Sequence, residues 1–126
     1  MKIKFKNASH RKTFTEFISR NVKNPYYSRC EYIAAVFLLS ADTFLWKHSR
    51  KAVTECSVDF RKIKLSGIST NGYALFKAAK SVYSGSTDIS FNELCDINLI
   101  DEETFHIIFS GAFLLRNGIG LLNWRC

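Results

Sequence analysis

Apolar residues recur at helical spacing in the first part of this chain. With the charged residues between them, they predict an amphipathic first helix that begins at Ser9 and ends at the Asn24-Pro25 pair, because the residue before a proline avoids helical geometry. Its apolar positions are Phe14, Phe17, Ile18 and Val22.

The next segment, Tyr32 to Leu39, is apolar at every position. A buried strand could have this pattern, but Ser28 and Glu31 have the spacing of a capping box, and an Ala-Ala pair also favours a helix. The pattern therefore predicts a second helix at the centre of the fold.

A third helix is predicted from Thr43 towards Val53, with Asp42 as its cap. Residues 54–68 alternate imperfectly between apolar and charged residues, which indicates a loop or a short edge strand. The segment Lys2 to Lys6 has a similar alternation, so the two could pair as a small ribbon.

A fourth helix is predicted from Thr70 to Ser84, ended by Gly85, and a second capping box at Ser90 and Glu93 opens a short helix that runs to about Asp96. The inward residues of the fourth helix are predicted to be Leu75, Phe76, Ala79, Val82 and Tyr83.

The last long helix is predicted to begin after Asp101 and to end at Gly118. Its predicted buried stripe comprises Phe105, Ile108, Phe109, Ala112, Phe113 and Leu115. The apolar tail Leu121 to Trp124 could dock on the core or on a partner, including a second copy in a homodimer. Together these elements predict one mainly α domain over residues 1–126, an irregular bundle of five or six helices with room for a two-stranded ribbon.

The composition supports a folded globule, since 47% of the 126 residues are hydrophobic and 14% are aromatic. The start of the chain has no uninterrupted apolar region, and the longest apolar run has eight residues. We therefore expect a cytoplasmic protein that does not cross a membrane. Its four cysteines are expected to be reduced, with Cys30 and Cys95 as small core residues.

Motifs for chemistry are weak in this sequence. None of the three histidines has a His or Cys three or four residues away, so no helix supplies two metal ligands. Ser9 and Lys12 match a Ser-x-x-Lys string, but a helix cap and a solvated base explain them better. The acids at 101–103 fit a helix start better than a catalytic pair. We therefore expect a protein that is not an enzyme and that has no catalytic residue, metal or cofactor.

The loop at residues 66–72 is rich in glycine and hydroxyl groups and precedes a helix whose amides could hold an anion. It lacks the Gly-Lys-Ser/Thr of a nucleotide-binding loop. A capped loop is the simpler interpretation, and a nucleotide-binding or sequestering protein is a minor alternative.

Charge is the strongest functional signal. The net charge is +7, and it divides into +7 for residues 1–30, −1 for 31–60, +5 for 61–80 and −4 for 81–126. If folding gathers the basic segments beside aromatic rings, they form a surface for phosphates or for an acidic protein. The residues predicted to form this surface are Arg11, Lys12, Arg20, Trp46, Lys47, Arg50, Lys51, Arg61, Lys62 and Lys64.

The order of motifs also resembles a known family. Phe5-Lys6-Asn7-x-x-His10-x-x-x-Phe14 is followed by a Tyr-rich turn and a buried Ala-Leu-rich helix, and later by Ser66-Gly67, Ala74-Leu75-x-Lys77-x-Ala79 and Val82-Tyr83-Ser84-Gly85. This resembles a domain of unknown function found in phages and other mobile elements of Gram-positive bacteria. The chain departs from it at Leu65 and Ser66, where relatives tend to have tryptophan before the glycine.

The resemblance carries over no functional residues, but it implies a context in which small phage proteins often inhibit host defence. The leading hypothesis is a binding protein that blocks a host defence nuclease, such as a CRISPR effector, with its partner a host protein or a protein–nucleic-acid complex. Direct binding of DNA or RNA is the second hypothesis.

Overall fold

The computed structural model describes the backbone of residues 3–24 and 28–122, and the side chains of residues 3–24 and 28–120. Within these ranges the protein is an irregular bundle of six α-helices, which confirms the predicted fold class. The helices are α1 (Ala8–Asn21), α2 (Cys30–Leu39), α3 (Thr43–Ser49), α4 (Thr70–Ser84), α5 (Phe91–Leu94) and α6 (Glu102–Asn117). Short 3₁₀ turns cover Arg50–Ala52, Phe60–Lys62 and Ile119–Leu122.

Helix α2 is the centre of the bundle. Every residue from Tyr32 to Leu39 is buried, as its all-apolar pattern predicts. A helix that is apolar all round needs neighbours on several sides, and α2 packs against α3, α4 and α6. Helix α1 covers it through Phe14, whose ring meets that of Phe37 edge-on at 5.7 Å.

Most predicted helix ends are confirmed. Asp42 and Asp101 cap α3 and α6 through their side chains, and Ser90 and Glu93 form the capping box of α5. Gly85 ends α4 in the left-handed conformation, and Gly118 follows α6. These signals are local, since each needs a side chain only two or three residues from the amide that it satisfies.

The start of α1 and the predicted capping box of α2 differ from the prediction. Asn7, not Ser9, caps α1, accepting from the amide of His10. Helix α2 begins at Cys30, so Ser28 lies one position before the capping position, which Arg29 occupies without a side-chain cap. The hydroxyl of Ser28 donates instead to the carbonyl of Asn24.

The ends of three helices, α1, α3 and α5, also differ from the prediction. α1 ends at Asn21, and Pro25, its predicted stop, lies outside the described residues. α3 ends at Ser49, and a 3₁₀ turn carries the chain on towards Val53. α5 stops at Leu94, short of Asp96.

The predicted ribbon is wrong for the described part of the chain. Between residues 50 and 68 the chain makes two 3₁₀ turns joined by a single bridge between Val53 and Val58. The amide of Lys4 donates to the hydroxyl of Ser110 on α6, so the N-terminal segment lies on a helix rather than along a strand.

The buried face of α6 is rotated from the predicted one. Its buried residues are Thr104, Ile107, Ile108, Ser110, Gly111 and Leu114. Of the predicted stripe only Ile108 is buried, while Phe109 is 37% exposed. Gly111 lies where a Cβ would be 2.8 Å from the side chain of Leu38, so this face of α6 lies tightly against α2. The small residues of α6 permit α6 and α2 to approach more closely than its phenylalanines would. This close contact, rather than the hydrophobic pattern of α6, therefore decides which face is buried.

Among the described residues, Cys30, Cys56 and Cys95 form no disulfide, and the reduced state of all four cysteines stays a prediction. Cys95 is exposed and is not the core residue that was predicted, while Cys30 is half-buried.

None of the described helices is both long and apolar enough to cross a bilayer.

Candidate binding surface

Helices α1 and α3 enclose a groove of about 230 Å³ that contains both cations and aromatic rings. It is lined by Thr13, Glu16, Phe17, Arg20, Asn21, Trp46 and Arg50. Three of the ten predicted binding residues, Arg20, Trp46 and Arg50, therefore meet here although up to 30 positions separate them in sequence.

The floor of this groove is a packed aromatic unit. Phe17 is buried, and its ring meets that of Trp46 edge-on at 5.2 Å. The guanidinium of Arg50 lies 4.6 Å from the Phe17 ring centroid. A cation over an aromatic face gains roughly 0.5–2 kcal/mol, so the ring holds Arg50 at the mouth of the groove.

A second recess of about 210 Å³ continues from the first, since Thr13 and Trp46 line both. It adds the cations Lys6 and Lys47. We call the two recesses together the α1–α3 groove. Its cationic side chains are Lys6, Arg20, Lys47 and Arg50.

His10 also lines this groove and is almost fully buried, at 2% exposure. The Lys6 amide donates to Nδ1 of His10, so Nε2 carries the proton and donates to the Phe37 carbonyl at 2.9 Å. Burial lowers the pKa of His10 to about 4, and the charge of Lys6 acts in the same direction, while the bond to Phe37 opposes both. His10 is therefore neutral at pH 7 and adds no charge to the groove.

The cations of the groove lack carboxylate partners among the described residues. Lys6, Arg20, Lys47 and Arg50 take part in none of the ion pairs of the described ranges. Of the described residues that line the groove, Glu16 is the single acidic one. The groove is therefore positively charged at neutral pH and could hold an anionic surface or phosphates.

The other predicted binding residues after Arg50 in the sequence do not line the groove. Lys51 is exposed in the 3₁₀ turn that follows α3. This 3₁₀ turn packs against the one that carries Arg61 and Lys62. Arg61 forms an ion pair with Asp59 at 3.1 Å, and this pair lowers the pKa of the carboxyl group. Lys62 and Lys64 are exposed.

Arg11 and Lys12 do not line the groove. Arg11 lies nine residues before Arg20, which at 100° per residue puts the two on opposite sides of α1. The guanidinium of Arg11 lies 5.8 Å from the ring centroid of Phe5. Lys12 is exposed and lines neither recess.

Two polar side chains of the loop at 66–72, those of Ser69 and Asn71, form hydrogen bonds within the fold. The Ser69 hydroxyl accepts from the amide of Gly72, and the amide group of Asn71 donates to the Asp101 carboxylate at 3.0 Å. A carboxylate beside the loop opposes an anionic ligand. This geometry does not favour the nucleotide-binding alternative.

Within the described ranges, no group of three or more His, Cys, Asp or Glu side chains is arranged so that it could hold a metal ion. His48 packs on Phe44 with ring centroids 4.2 Å apart, and Nε2 of His106 lies 3.8 Å from Glu102. The three histidines thus belong to separate local environments.

The sequence prediction missed several groove residues, among them Phe17, Lys6 and Thr13. Phe17 was assigned to the core, yet it is also the platform for Arg50. Lys6 belongs to the Phe5-Lys6-Asn7 string but was not predicted to bind, Thr13 belongs to no motif, and the packing of α1 on α3 brings both to the groove. The spacing of Thr13, Phe17 and Arg20 along one helix face is the one signal that could have indicated them.

No protein-family model, curated protein or solved structure matches this chain.

Proposed function

We propose that this chain is a non-enzymatic binding protein of a phage or other mobile element, and that it blocks a host defence nuclease through the α1–α3 groove. The observation that carries the proposal is the meeting of Arg20, Lys47 and Arg50 around Trp46, with no ion-pair partner for them among the described residues. The mobile-element context rests on the family resemblance alone.

The charge of the groove favours an anionic counterpart. Nucleases that are engaged with nucleic acid carry phosphates, and their catalytic centres hold metal ions with carboxylates. A positively charged groove fits either surface better than it fits the basic channel of an empty nuclease. We therefore place its target on the nucleic-acid-loaded or carboxylate-rich part of the complex.

Aromatic and arginine residues at the centre of the groove suit such a contact. Arginine and tryptophan are enriched among the residues that dominate protein interfaces. Arg50 is already ordered on Phe17, which reduces the entropy that it would lose on binding.

The test uses phage plating on host strains that each carry one active CRISPR or restriction nuclease. Expression of the wild-type chain is expected to raise plating in at least one strain. The double variant Arg20→Glu/Lys47→Glu is expected to lose this effect, because it reverses two exposed charges of the groove.

The matched control is Arg11→Glu/Lys12→Glu, which makes the same charge change at two exposed positions of α1 outside the groove. It is expected to plate like the wild type. Failure of the wild type in every strain, or equal loss in both double variants, would contradict the proposal.

Direct binding of free nucleic acid is the second candidate, and it is favoured by the groove cations, which have no ion-pair partner within the described ranges. Fluorescence anisotropy with a labelled 20-nucleotide single strand and the matching duplex, at 50–200 mM salt, separates the two. Three phosphate contacts predict a slope of log affinity against log salt of about −2 to −3. The second function would be favoured if the wild type shows this slope and Arg20→Glu/Lys47→Glu does not. It would also require that expression of the wild-type chain leaves phage plating unchanged.

A further inference from the structure

A second surface of the molecule is apolar and lies between α5 and α6. It is a groove of about 470 Å³ lined by Leu94, Cys95, Ile97, Ile100, Glu102 and Phe105. Ile97 is 88% exposed, although isoleucine is among the residues most often buried. We call this surface the α5–α6 groove.

Exposed aromatic residues extend the apolar area beyond the lining. Phe105 packs edge-on against Phe109 at 4.7 Å, and Phe109 is 37% exposed. Phe91, at 79% exposure, lies three residues before Leu94 on α5 and so on the same side of that helix. Extended apolar surface marks an interaction site more often than a solvated face.

The charge around this groove has one sign. Residues 81–115 contain six acidic residues and no Lys or Arg. Lys77 and Lys80 on α4 pair with Glu93 and Asp88. The other four acids of this segment have no Lys or Arg partner within the described ranges, and these are Asp96, Asp101, Glu102 and Glu103.

We propose that the α5–α6 groove binds a segment of a partner protein that combines a bulky apolar anchor with flanking Lys or Arg residues. The apolar lining would receive the anchor, and Asp96, Glu102 and Glu103 would face the cations. A second copy of this chain in a two-fold contact fits less well, because the same carboxylates would then face each other. This proposal does not depend on the function of the α1–α3 groove.

The test measures the anisotropy of labelled 18-residue peptides mixed with the full chain. The first peptide has Leu at positions i, i+3, i+4 and i+7 with Lys elsewhere, the second has Glu in place of Lys, and the third has Ser in place of Leu. Binding of the first alone is expected. Ile97→Ser is expected to weaken it by about ten-fold, as removal of a central apolar anchor does.

Phe44→Ser is the matched control, since Phe44 is an exposed apolar side chain on α3, outside the α5–α6 groove. It is expected to bind the first peptide like the wild type. Glu102→Lys/Glu103→Lys keeps the apolar lining and is expected to weaken binding by a similar factor to Ile97→Ser.

Four outcomes would overturn the proposal. They are equal binding of the Lys and Glu peptides, wild-type affinity in Ile97→Ser, no binding of the Lys peptide up to about 1 mM, and a concentration-dependent dimer in sedimentation that Ile97→Ser abolishes. The last outcome would identify the occupant as a second copy.

Discussion

The imidazole of His10 joins three parts of the chain. Its Nδ1 accepts from the amide of Lys6, its Nε2 donates to the carbonyl of Phe37, and its ring packs edge-on against Phe5 at 5.1 Å. A buried polar group is stable when its hydrogen-bonding atoms are satisfied, and both ring nitrogens are. His10 thus ties the N-terminal segment and α1 to the central helix.

The free energy of unfolding is predicted to decrease as the pH is lowered, because protonation of His10 favours the unfolded chain. Its pKa is about 4 in the folded protein and near 6.5 when unfolded, so the unfolded chain takes up a proton first. The contribution of His10 is full above pH 6.5 and is lost as the pH falls towards 4, by up to about 3 kcal/mol. Urea unfolding at pH 7, 5.5 and 4.5 measures this change.

His10→Gln is expected to be less stable at pH 7 and to vary less between pH 7 and 4.5. His106→Gln, an exposed histidine on α6, is the control and should keep the wild-type slope. Parallel pH dependence in the wild type and His10→Gln would contradict the assignment.

At the scale of elements, the contact between α2 and α6 decides which side of α6 is buried. Leu38 fills the space above Gly111, and its atoms lie 2.8–2.9 Å from where a Cβ would stand. Because Leu38 is fully buried, it has little room to move aside. The phenylalanines of α6 are therefore turned towards the solvent-facing side.

Gly111→Ala is predicted to destabilise the fold despite the better helix propensity of alanine. Overpacking of a core contact costs roughly 1–3 kcal/mol, which exceeds the gain of up to about 1 kcal/mol from replacing glycine in a helix. Gly120→Ala, with no atom within 4 Å of its Cβ, is the control. Thermal and urea unfolding of both variants measure the difference, and a Gly111→Ala protein as stable as the wild type would show that α6 can shift.

At the scale of the whole molecule, stability is expected to be uneven. Helix α2 packs against α3, α4 and α6 and is covered by α1, whereas α5 has four residues and none of them is buried. Local opening of α5 exposes few apolar groups, because few are buried in it, and it therefore costs little free energy.

Hydrogen exchange in increasing urea is therefore predicted to separate two groups of amides. Those of residues 35–39 in α2 should exchange only through global unfolding, and those of residues 93–95 around α5 through local opening. Equal protection of the two groups would contradict this description.

Charge is also organised at this scale. The cations of the α1–α3 groove come from residues 6–50, and the acids around the α5–α6 groove come from residues 88–103. The acidic side follows the −4 block at 81–126, whereas Lys47 and Arg50 of the groove come from the block at 31–60, whose net charge is −1. What the sequence could not indicate is that Arg11 would lie on the far side of α1 while Lys6 joined the groove.

The helices and their ends could largely be predicted, because hydrophobic periodicity and capping act over a few residues. Thr70–Ser84 has the predicted bounds, and the caps at Asp42, Ser90 and Asp101 stand where their motifs indicated. The error at the start of α2 arose where two local signals competed. Ser28 and Glu31 matched a box, but the chain turned back on Asn24 and the helix started later.

The sequence by itself determined that this chain forms helices around an all-apolar second one, because turn and capping energies and apolar periodicity depend on neighbours along the chain. The tertiary structure alone decided which faces meet. Close approach at Gly111 rotated α6 and exposed Phe109, and the packing of Trp46 on Phe17 brought Arg20 beside Arg50. Such contacts depend on the shapes of side chains far apart in sequence, which no periodicity encodes.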